Sequence, residues 1–78
     1  MKATFIRFMS ASHLNGQNVA LYSGADGAEL RAENVATGGA FAARRFPDLD
    51  AAEYWYCNIP GTGLGRLQSA IEHMRDDE

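Results

Sequence analysis

The sequence predicts an α+β domain over residues 1–78, a four-stranded antiparallel meander followed by two antiparallel helices that pack together on one face of the sheet (ββββαα). Three observations predict it. Short extended runs separated by glycine-containing turns fill the chain as far as Phe46. At Pro47 the hydrophobic period lengthens from that of a strand to that of a helix. No extended run follows the helical part, so there is no strand to complete a βαβ unit, and strands followed by helices make a layered α+β fold.

The first strand spans Ala3 to Ser10, where ATFIRFMS is aromatic, β-branched and apolar without helical spacing. Its parity is unusual. Phe5, Arg7 and Met9 share one side and Thr4, Ile6 and Phe8 the other, so either choice of inward face leaves large apolar groups outside. After the polar link Ser12 to Gly16, a second strand runs from Gln17 to Tyr22 with Val19 and Leu21 inward and Tyr22 outward. Ser23 to Gly27 has the glycines and aspartate of a hairpin loop. The third strand, Ala28 to Val35, alternates cleanly, with Leu30 and Ala32 inward and Glu29, Arg31 and Glu33 outward. A turn at Thr37-Gly38-Gly39 leads to a fourth strand, Ala40 to Phe46.

Pro47 and the flanking aspartates Asp48 and Asp50 open a helix whose inward face is Ala51, Ala52, Trp55 and Ile59. It must end before Pro60, because the residue preceding a proline is forced out of the helical region. A second helix starts near Thr62 and carries an apolar stripe of Leu64, Leu67, Ile71 and Met74. The charged tail from Arg75 to Glu78 is expected to fray.

Seven basic against ten acidic side chains, a net charge of −3, disfavour direct nucleic-acid binding and suit a basic protein partner. The single cysteine, Cys57, excludes an internal disulfide and a multi-cysteine metal site and fits a reducing compartment. With no long apolar run, neither a membrane span nor a signal peptide is expected, and the cytoplasm is the default location.

The stretch NIPGTGLGRL, Asn58 to Leu67, invites comparison with a phosphate cradle. It follows a helix rather than a strand, and it lacks the G-K-[ST] ending of a P-loop. The better reading is a helix–turn–helix corner, in which Gly65 marks close backbone packing. His13 and His73 belong to no ligand pair, Cys57 reads as a small buried hydrophobe, and no serine or threonine comes with a base and an orienting group. No catalytic residue, cofactor or metal is expected. The uncovered sheet face, with Tyr22, Arg31 and Glu33 on it, is either an interface centre or an ordinary half-solvated surface.

Six stretches carry a family likeness: HLN at His13 to Asn15, NVALY ending at Tyr22, AENV at Ala32 to Val35, Ala43-Arg44, Trp55, and PGTGLGR at Pro60 to Arg66. In them the chain resembles, over nearly its whole length, a family of small phage anti-CRISPR proteins that inhibit the type I-F (Csy) surveillance complex. The resemblance implies a four-stranded sheet packed on two helices. It also implies binding to the repeated backbone subunits of the complex in the cytoplasm of the bacterial host, so that target DNA cannot pair with the guide RNA. The family's partner-binding residues, two tyrosines and a glutamate on the open sheet face, fall on Phe8, Tyr22 and Glu33, with Phe8 lacking the family hydroxyl. If Phe8 faces out, Ile6 shares its side, Phe5 and Met9 face the core, and Arg7 lies near an edge. No nucleic acid, membrane or cofactor is implied, and a monomer is expected when free. The alternative is a small acidic regulatory or DNA-mimicking domain for another basic protein.

Overall fold

The structure, a computed structural model, describes residues 3–76. Strands β1 (Thr4–Phe8), β2 (Gln17–Gly24), β3 (Gly27–Asn34) and β4 (Gly39–Phe46) form one antiparallel sheet in the order β1-β2-β3-β4. Helices α1 (Leu49–Cys57) and α2 (Gly63–Asp76) follow. This is the ββββαα arrangement read from the sequence. Of the charged tail, Arg75 and Asp76 continue α2, whereas Asp77 and Glu78 lie outside the described residues.

Local chemistry sets the corners. Between β1 and β2, Asn15 and Gly16 both take positive φ (53° and 76°), the requirement of a type I′ turn, and Leu14 and Gln17 exchange backbone hydrogen bonds across it. Gly27, at φ 129°, follows the two-residue loop between β2 and β3; a Cβ there would sit 2.4 Å from the Phe46 carbonyl oxygen. The Asp48 side chain caps α1 by accepting from the Ala51 N–H at 2.8 Å. At the α1–α2 corner the N–H groups of Gly65 and Arg66 donate to the Thr62 carbonyl at 3.0 and 3.4 Å. Two of the amides in the first turn of α2 are therefore already engaged. Gly61 and Gly63 carry the positive φ values of the reversal, 109° and 53°.

Helix α1 lies over β3 and β4, and α2 over β4 and β2, so both cover the same sheet face. The core beneath them holds Val19, Leu21, Leu30, Ala32 and Ala42 from the sheet, Ala52, Tyr56 and Ile59 from α1 and its end, and Leu67, Ala70, Ile71 and Met74 from α2. Burying each large aliphatic here contributes about 1.5–3 kcal/mol against chain entropy.

Four expectations are corrected. Phe5 does not face the core: a bulge between Phe5 and Arg7 turns it to the open side, where it is 46% exposed. Cys57 ends α1 as an exposed thiol rather than a buried one, and the neighbouring Tyr56 takes the core position instead. Leu64 is 39% exposed, since the buried stripe of α2 begins only at Leu67. Gly65 marks no close packing, for a Cβ there would meet nothing within 4 Å. Arg7 does lie on the edge strand, paired with Glu53 of α1 at 2.6 Å.

Candidate functional site

The sheet face away from the helices is built by register. Opposite Ala20 stand Phe8 on β1 and Arg31 on β3; opposite Tyr22 stand Phe5 and Glu29; opposite Asn18 stands Glu33. Alternation along β2 and β3, together with the bulge in β1, puts all of these on one side, because Val19, Leu21, Leu30 and Ala32 hold the other. The structure thus brings Phe8, Tyr22 and Glu33 together across three adjacent strands. Arg45 lies on the same face, opposite Glu29 on β4.

Tyr22 is the hub. Its hydroxyl donates to Oε2 of Glu33, and the Arg31 guanidinium lies 4.1 Å from its ring centroid. On its other side the Phe5 ring packs edge-on at 5.7 Å. Burial chiefly, then the hydrogen bond and negative charge of Glu33, push the Tyr22 phenol above its ordinary pKa, while Arg31 opposes the shift. Glu33 itself is only 6% exposed, so the carboxylate is held inside the face rather than waving above it.

Of Arg31 and Arg45 on this face, Arg31 is the anchored cation and Arg45 stays largely in water. Arg31 donates from Nε to Glu29 at 2.7 Å, which raises its pKa further, and Arg45 approaches the other oxygen of Glu29 at 3.8 Å. The Tyr22, Glu33, Arg31 and Glu29 side chains are thus tied to one another by hydrogen bonds and ring contact.

A second group of side chains anchors the β1 end. Asn18 is fully buried, and its Oδ1 accepts from the Val19 N–H at 2.8 Å. That fixes the amide orientation, so Nδ2 donates to the Ser10 carbonyl at 3.0 Å and to Nδ1 of His13 at 2.9 Å. His13 in turn packs against Phe8, ring centroids 5.4 Å apart. Phe8 is thereby held between His13 and Phe5, the latter at 5.2 Å.

Tyr22, Arg31 and Glu33 lie on the open side, as strand parity predicts, and Phe5, Asn18 and His13 join them there without a prediction from the sequence. The NG turn at Asn15-Gly16 was a signal for the last two, since it folds His13 back beside β2. Nothing in the composition of β1 announced the bulge. Among the described residues no three histidine, cysteine or acidic side chains come together to hold a metal ion. The arrangement offers rings and paired charges in fixed positions, the chemistry of non-covalent docking.

The family model described as "Anti-CRISPR protein Acr30-35/AcrF1" matches residues 1–78. No curated protein matches the chain. Among solved structures, the chain is similar to one described as "Anti-CRISPR proteins AcrF1/2 bound to Csy surveillance complex with a 32nt spacer crRNA backbone region". Identity is 37%, the TM-score is 0.82, and 91% of each chain is covered.

Proposed function

The chain belongs to the Acr30-35/AcrF1 family of anti-CRISPR proteins, and from that premise we propose that it inhibits a type I-F (Csy) surveillance complex by docking on its backbone subunits through the open sheet face. Target DNA is then kept from pairing with the guide RNA by occlusion, without chemistry. The protein acts as a monomer in the cytoplasm of the bacterial host. The observation that carries this reading is the Tyr22–Glu33 pair, hydrogen-bonded and set beside Phe8 on the one sheet face that no helix covers. The 37% identity to a solved structure of anti-CRISPR proteins bound to a Csy complex supports the choice of partner.

In this reading Tyr22 and Phe8 supply buried area, and Glu33 has two tasks. It fixes the tyrosine hydroxyl and offers negative charge to a lysine of a surface that otherwise holds DNA. The net charge of −3 favours approach to such a basic surface. Phe8 lacks a hydroxyl that a tyrosine would provide; a neutral hydrogen bond is worth about 0.5–1.5 kcal/mol net, so binding weakens by about tenfold at most.

The test is a DNA-binding assay on a purified Csy complex with and without the protein, paired with a pull-down. Bound complex that no longer takes up target DNA is expected, and Tyr22→Ala combined with Glu33→Ala should abolish both effects. Failure to bind any Csy complex, or unchanged binding by the double variant, sinks the reading. Loss of DNA binding by some other basic protein would then favour an acidic, DNA-mimicking domain, the second reading that the net charge admits.

A further inference from the structure

The bulge in β1 gives the open face a ring that the proposed function does not use. In an unbroken strand Phe5 and Phe8, three positions apart, point to opposite faces. Here Phe5 stands opposite Tyr22, Arg7 opposite Leu21 and Phe8 opposite Ala20, so the residue inserted between Phe5 and Arg7 puts both phenylalanines on the open side. Phe5 then bridges the two aromatics of the face, 5.2 Å from the Phe8 ring and 5.7 Å from that of Tyr22, both edge-on. Nearly half of it, 46%, remains in water. A phenylalanine this exposed keeps ring surface that folding does not remove from water. One left half-wet between two ordered rings gains most when something else covers it.

We propose that Phe5 is a further partner-contacting residue, the third ring of an apolar contact that runs across β1 and β2. This rests on the reading that the open face docks on the Csy backbone. The partner feature that fits is a lysine or arginine side chain. Its aliphatic stem covers the exposed ring surface, and its charge lies over electron-rich rings within reach of the face that holds Glu33. The bulge is what makes the contact possible, because it re-aims Phe5 without disturbing the Phe8 position.

The proposal is tested by measuring the affinity of wild type, Phe5→Ala, Phe5→Leu and Tyr54→Ala for a Csy complex, with thermal unfolding of each. Tyr54 serves as the control because it is a 73%-exposed aromatic on α1, on the helix side. Truncating a central aromatic anchor typically weakens binding by about tenfold or more, and that loss is expected for Phe5→Ala while Tyr54→Ala binds as wild type. A loss of less than twofold in Phe5→Ala overturns the proposal and leaves the docking reading in place. Wild type that binds no Csy complex overturns the docking reading, and the proposal with it. Should Phe5→Ala fail to fold, Phe5→Leu decides: a loss of more than twofold supports the ring contact, and a smaller one overturns it.

Discussion

The Tyr22 hydroxyl and the Glu33 carboxylate belong to different strands, yet each fixes the other. Burial of the phenol, aided by the neighbouring negative charge, favours its protonated form. Ultraviolet titration of the phenols, with Tyr22 identified by difference against Tyr22→Phe, should therefore place Tyr22 above the usual phenol range. In Glu33→Gln the amide oxygen still accepts the hydrogen bond but the charge is gone, so the Tyr22 midpoint should fall while staying raised by burial. An unchanged midpoint would mean that Glu33 does not act on Tyr22 in solution. The positions of both residues were legible from strand parity alone, because β3 alternates cleanly and a one-residue slip would have exposed Leu30 and Ala32. Phe5 was not legible. Parity arguments assume an unbroken strand, and β1 has apolar residues on both sides, so its sequence fits either register equally well.

At the scale of elements, glycine had to be read by geometry rather than by motif. Gly27 and Gly65 look alike in the sequence and should respond to alanine in opposite ways. At Gly27 an added Cβ would collide with the Phe46 carbonyl oxygen, and φ is 129°, so Gly27→Ala must displace the junction of β3 with the end of β4. A loss of about 1–3 kcal/mol is expected, the range for a residue held in a disfavoured backbone region. Gly65 lies in the first turn of α2 with open space around it, and Gly65→Ala should gain about 0.5–1 kcal/mol from reduced backbone freedom in the unfolded chain. Urea denaturation of both variants checks the pair; a stabilising Gly27→Ala or a strongly destabilising Gly65→Ala would contradict the geometry. The helices themselves were visible in the sequence through period and caps, with Asp48 and Pro60 marking limits that the structure keeps. Their exact inward faces were less so. A nine-residue helix such as α1 leaves Trp55 and Tyr56 nearly equivalent by spacing, and only packing decides that Tyr56 is the buried one.

Across the whole molecule, one sheet separates two jobs: the helix side holds the fold together and the open side presents preset rings and charges. Each side contains a phenol whose ionisation the fold resists. Tyr56, in the core under the helices, is raised chiefly by burial, with Arg66 opposing, and Tyr22 is raised on the open face. A phenol whose folded pKa exceeds its unfolded value contributes stability that is fully present below the unfolded pKa, near pH 10, and lost as the pH climbs through the folded value. The melting temperature should therefore hold steady as pH rises toward about 10 and then fall. Tyr22→Phe and Tyr56→Phe should each flatten part of that fall, the first by removing the open-face phenol and the second the core phenol. Because the two groups lie on opposite sides of the sheet and share no partner, their effects should add in the double variant. Melting curves taken across this alkaline range decide it: a fall of undiminished steepness in the double variant would assign alkaline unfolding to other groups and leave both phenols without a part in it.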